Sequence, residues 1–180
     1  MNWRIKLLEI HLPAPVKNKV LTELFRITAE AFEEEVNYHK GFTYKKRLII
    51  FADYSNKLAS QALKKDVNLT KIKNKLYNNS YDIGFYLRKY LNIRTMKEAM
   101  KVAEIFYRII GIDFKGNKKG EIIINNCLFS DYYDKEVCSI ISALDSGIAA
   151  GLTGGGKLKF NHRITEGSSC CEALIKIEDG

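Results

Sequence analysis

Four cysteines and three histidines are the residues of this 180-residue chain best suited to chemistry. Cys127, Cys138, Cys170, Cys171 and His162 all fall in its last third, whereas His11 and His39 lie far upstream. Thiolate sulfur and imidazole nitrogen are the ligands zinc takes in tetrahedral sites. Cys138, His162 and one of Cys170 or Cys171, with Cys127 as a further donor, therefore form a candidate zinc set. Neighbours on a strand point to opposite faces, so only one of Cys170 and Cys171 can serve a shared site. The chain has no close Cys-x-x-Cys or His-x-x-x-His pair, and a buried cysteine is equally a small hydrophobe. Cys138 or Cys171 beside His162 also makes a thiol–imidazole pair of the kind used in covalent hydrolysis. Spacing leaves both readings open, and no local nucleophile motif favours catalysis.

Aromatic residues are the second chemical resource, with nine Phe and ten Tyr. Tyr81, Phe85, Tyr86, Phe106 and Tyr107 are candidates to line an apolar small-molecule pocket between helices and a sheet. A buried tyrosine hydroxyl needs a partner, which a ligand can supply. The same stripe also reads as core. Gly154, Gly155 and Gly156 follow a helical pattern instead of opening one and carry no Walker lysine, so they read as a helix stop, not a phosphate cradle.

The elements that must position these residues follow from periodicity. Residues 4–10 are short and ambiguous, a strand or an irregular lead-in. Pro13 and Pro15 suit a helix entry, and apolar positions from Val16 onward predict a helix over 16–36. Its wide apolar face suggests a contact with a second subunit. After Gly41, a helix is expected over 47–63, although 47–51 also fits a strand. Asn68 or Thr70 can cap a third helix that Asn78, Asn79 and Ser80 break or kink. Helices over 81–91 and 95–110 follow, the latter opened by Thr95 and Glu98 as a capping box. The period then shifts to strands over 112–115 and 121–128. Ser130 or Asp131 caps one helix reaching Leu152, and strands over 157–164 and 170–177 close the chain.

Helices first and strands later predict one α+β domain over 1–180, with a helical part over 1–110 and a strand-rich part over 111–180. The helical layer would pack on a small antiparallel sheet. No run of about 18 apolar residues suggests a membrane helix, and the first residues lack a signal peptide's apolar centre. A cytoplasmic location with reduced cysteines is expected. Residues 37–119 carry 19 Lys and Arg against 6 Asp and Glu, and the remainder 10 against 15. Such a basic section could meet nucleic acid or an acidic protein partner as an adaptor. Solvated lysines on helix faces explain it equally, and nucleic acid is the weaker reading.

The pattern Cys138, Gly147, Gly151, Gly156, Gly167 and Cys171, laid over a helix and two strands, resembles the 4-vinyl reductase domain family. That family includes hydrocarbon-binding and phenol-sensing domains and shares its fold with vesicle-tethering subunits of the TRAPP type. The resemblance implies a homodimeric protein that binds or senses an apolar or aromatic small molecule. It also implies zinc on Cys138 and Cys171, since cysteines at these places hold the metal in phenol sensors. Their remaining ligands, a glutamate and a third cysteine, are missing from Phe160, Asn161, His162 and Arg163. His162 and either Cys127 or Cys170 would have to substitute. A related group, the L-2-amino-thiazoline-4-carboxylate hydrolase-like family, has a similar ending and implies a hydrolase of small cyclic amide or thiazoline-like substrates. Its catalytic residues have no counterparts that can be assigned here.

Overall fold

The structure, a computed structural model, describes residues 3–10, 13–36, 41–65 and 67–177. His11 and His39 lie outside them. Five helices come first: α1 (Trp3–Ile10), α2 (Ala14–Phe32), α3 (Tyr44–Lys64), α4 (Leu69–Leu91) and α5 (Met96–Ile109). Strands β1 (Ile112–Gly116) and β2 (Glu121–Cys127) precede helices α6 (Lys135–Ile141) and α7 (Ala143–Thr153). Strands β3 (Lys157–His162) and β4 (Cys171–Lys176) complete an antiparallel sheet in the order β1-β2-β4-β3. The chain is an α+β fold.

Local chemistry accounts for most helix boundaries. The side chains of Thr43, Asn68 and Asp134 accept hydrogen bonds from the amides of Lys46, Lys71 and Val137 at the starts of α3, α4 and α6. Each satisfies an amide that has no partner within its helix. Thr95 and Glu98 form the expected capping box on α5. Glu33 and Asn92 turn left-handed to close α2 and α4.

Several expectations are corrected. Residues 3–10 are a helix, with Ile5 fully buried in the core. The first long helix stops at Phe32, four residues early. Residues 47–51 are helical, and Asn78, Asn79 and Ser80 lie inside an unbroken α4. Packing overrides their turn preference, because Ser80 is fully buried against α7. Asp134 caps α6 in place of Ser130 or Asp131, which belong to a short 3-10 turn that buries Phe129. The helix before the triple glycine is kinked at Ser142 into α6 and α7. The wide face of α2 is used within the chain: Leu21, Leu24, Phe25 and Ile27 are all buried in its own core.

The stretch Lys135–Thr153 is long and apolar enough, by length and composition, to cross a membrane, but 67% of it is buried inside the protein. It is the core helix of the fold. One face of α7 meets the sheet, where Ile148 and Leu152 pack near Phe114, Ile122 and Ile175. The other face meets α4 at backbone distance. A Cβ built on Gly151 would lie 2.3 Å from the Tyr81 carbonyl oxygen and 2.5 Å from the Phe85 amide nitrogen. On Gly147 it would lie 2.2 Å from the Tyr77 carbonyl oxygen. Neither helix backbone can give way alone, so glycine is required here. Replacing Gly151 by Ala should cost about 3 kcal/mol or more by overpacking. Chemical denaturation checks this, and a midpoint shift worth under 1 kcal/mol would show that the crossing relaxes.

A candidate binding cavity below the Ser142 kink

The kink between α6 and α7 lies over an apolar cavity of about 80 Å³. Leu24 of α2, Phe51 of α3, Phe106 of α5 and Ile110 just after α5 form one side. Ile112, Cys127 and Phe129 close the end of the sheet, beside Tyr133. Cys138, Ile141, Ser142, Leu144, Asp145 and Ile148 line the kinked helix. The ring contacts make this wall rigid: Phe51 meets Phe129 edge to face, and Phe129 stacks on Tyr133. The Tyr133 hydroxyl is hydrogen-bonded to the buried Ser55 hydroxyl.

Asp145 is the polar exception. The Tyr107 hydroxyl donates to its Oδ1 at 2.7 Å. Tyr107 is itself fixed by ring stacking on Phe114, with centroids 4.9 Å apart. Among the described residues, Oδ2 of Asp145 has no hydrogen-bond partner. The side chain keeps some accessible surface where it lines the cavity. Burial in apolar surroundings raises its pKa from the ordinary 3.8 to about 6, against the lowering effects of the Tyr107 hydrogen bond and the Arg163 charge.

The sulfur atoms surround this carboxyl without forming a metal site. Cys127 and Cys138 line the cavity, while Cys171 is buried on β4 and accepts a hydrogen bond from the Ile164 amide at 3.3 Å. Cys170 is only half-buried, and His162 is exposed at the end of β3. Among the described residues, no three Cys, His, Asp or Glu side chains are placed to hold a metal ion. A cation already stands beside the key thiol: the Arg163 guanidinium is 4.0 Å from Cys138 Sγ and lies over the Phe160 ring at 4.3 Å. A dication there would meet that positive charge. The expected zinc set of Cys138, His162, Cys171, Cys127 and Cys170 does not fit this geometry.

Burial pushes the Cys127 thiol up to about 12 and raises those of Cys138 and Cys171 as well. A protonated thiol is a poor nucleophile. The Cys–His pairing also fails on placement, since His162 is on the solvent side and Cys171 in the core.

The aromatic candidates divide. Phe106 lines the cavity, and Tyr107 reaches it through Asp145. Tyr81, Phe85 and Tyr86 do not. Because α4 presents Ser80 and Gly84 to α7, its aromatic side chains are displaced to the flanks. Tyr77, Tyr81 and Phe85 stack in a row there, and Tyr86 is 66% exposed. Sequence reasoning missed Phe51, Phe129, Tyr133 and above all Asp145. The signal for Asp145 was a lone acid between Leu144 and Ile148, inside an otherwise apolar and small-residue helix.

A larger open cleft, about 340 Å³, lies between the ends of α2, α3 and α4. Of its two acids, Glu33 is paired with Lys71 and Lys75, at 2.9 and 2.7 Å, and Glu34 is exposed to solvent. Compared with known proteins, the chain matches no protein-family model and no curated protein.

The Asp145 carboxyl has a measurable consequence. Well below pH 3.8 it is protonated in both folded and unfolded chains. From there to about 6 the unfolded chain ionises while the folded chain keeps its proton, so its contribution to stability is lost once pH has risen through about 6. Asp145→Asn keeps an acceptor for Tyr107 and should be close to neutral at about pH 3. At pH 8 it should exceed the parent in stability by about 2 kcal/mol. Denaturant titrations at the two pH values check this, and an equal difference at both would remove the raised pKa.

Proposed function

We propose that the chain is a small-molecule-binding or sensing domain of the 4-vinyl reductase type, taking a small apolar or aromatic-compatible ligand in the cavity below Ser142. The observation that carries this reading is an apolar cavity with a single, half-satisfied carboxyl in its wall. Apolar walls with a few placed polar groups are the usual make-up of a ligand site. The helix that ends at the glycine stop and the two strands after it are in keeping with the helix and two strands on which the sequence resemblance rests. Drug-sized pockets run from roughly 300 Å³ upward, so a cavity of about 80 Å³ selects a ligand of few heavy atoms.

Binding fits these walls better than hydrolysis. The thiols are held protonated by burial, and no imidazole lines the cavity. The role is therefore to hold or sense a ligand.

The first test is the native mass of the purified protein against its denatured mass, where an organic excess would identify a retained ligand. The second is calorimetric titration with 1-butanol. It should bind, and Leu144→Phe, which places a larger side chain in the wall, should weaken binding by about tenfold or more through steric exclusion. Absence of any retained mass together with no probe binding would overturn the reading.

A further inference from the structure

The cavity's charge pattern narrows the ligand class, and this step rests on the small-molecule reading above. Among the described residues its walls contain one acid, Asp145, and no lysine, arginine or histidine. They also contain four aromatic rings, those of Phe51, Phe106, Phe129 and Tyr133. The acid draws a cation by its charge, and an aromatic wall accepts an alkyl group or, over a ring face, a cation. Of the two carboxyl oxygens, Oδ1 is occupied by Tyr107, and Oδ2 has no hydrogen-bond partner among the described residues. The nearest guanidinium, Arg163, is engaged beside Cys138 and Phe160 and is not part of the wall.

A carboxylate with apolar neighbours recovers its lost hydration best from an opposite charge that also donates a hydrogen bond. An anionic ligand would face the carboxylate. A neutral hydrocarbon would leave Oδ2 unpaired. An inorganic cation lacks donors, because no three metal-ligating side chains converge among the described residues. An organic ammonium satisfies every element of the wall: its charge meets Asp145, and its alkyl part meets the rings and the aliphatic side chains.

We propose that the cavity receives a small primary amine as its ammonium ion, with the nitrogen donating to Oδ2 of Asp145 and the carbon chain packed against Phe51, Phe106 and Phe129. The cavity is smaller than the engineered site of about 150 Å³ that admits benzene. The amine is accordingly a short aliphatic one of about five heavy atoms or fewer.

The test compares n-butylamine, 1-butanol and propionate, three probes of five heavy atoms, by calorimetric titration of the intact protein at pH 7.5. The amine should bind about tenfold more tightly than the alcohol, and propionate should show no binding. In Asp145→Asn the advantage of the amine over the alcohol should vanish while alcohol binding persists. Tyr107→Phe gives an independent check, since it frees Oδ1 and should leave the amine preference intact or enlarged. Equal binding of amine and alcohol to the parent protein, or an amine preference that survives Asp145→Asn, would overturn the ammonium assignment while leaving a small-molecule cavity in place. If neither amine nor alcohol binds, the cavity reading falls with it.

Discussion

The close approach of α4 and α7 governs the rest of this structure. Backbone touches backbone where Gly147 and Gly151 meet Tyr77, Tyr81 and Phe85. Two helices in such contact leave room between them only for a side chain as small as that of Ser80, so bulk must be placed elsewhere. On α4 it goes to the flanks, where Tyr77, Tyr81 and Phe85 form a stacked row. On α7 it goes toward the sheet, through Leu144, Ile148 and Leu152. The helix is interrupted at Ser142 between α6 and α7, and residues on both sides of that break, Cys138, Ile141, Leu144 and Asp145, line the cavity.

Electrostatics inside the cavity follow from what surrounds it. Tyr107 is stacked on Phe114 and cannot swing freely, so its hydroxyl fixes one oxygen of Asp145 and leaves the other available. Without that bond the carboxyl would sit in still poorer surroundings and hold its proton more tightly. Arg163 contributes at longer range while staying over Phe160. The thiols of Cys127 and Cys138 serve as apolar wall in this arrangement, a role their chemistry allows. What looked like the reactive group of the chain is its insulation.

Much of the fold was legible in the residue pattern. The α+β order, the capping box at Thr95, the cap at Asn68 and the glycine stop after Thr153 rest on local chemistry, which short stretches encode directly. Asn78, Asn79 and Ser80 misled because their turn preference is weak beside the burial of Ser80 under α7. Residues 4–10 misled because one buried side chain, Ile5, holds that helix down. The site was harder to read. Cysteine and histidine spacing suggested a metal, but whether His162 faces the core depends on strand register and on the irregularity between Phe160 and His162. Asp145 carried little weight in the sequence, since an acid near a helix start reads as a favourable end charge. Only the three-dimensional surroundings make it the polar group of an apolar cavity.

The kinked stretch from Lys135 to Thr153 also bears on how the chain is made. Its apolar length resembles a membrane segment, and its neighbour α4 is synthesised before it while β3 and β4 come after. As the ribosome proceeds, α7 can dock on α4 through its glycine face at once. Its sheet-facing side meets Phe114 and Ile122 of β1 and β2, already made, but waits about 20 further residues, one to a few seconds at ordinary elongation rates, for β3 and β4. During that interval half a sheet covers Ile148 and Leu152, and Ile175 of β4 is the last of their apolar neighbours to arrive.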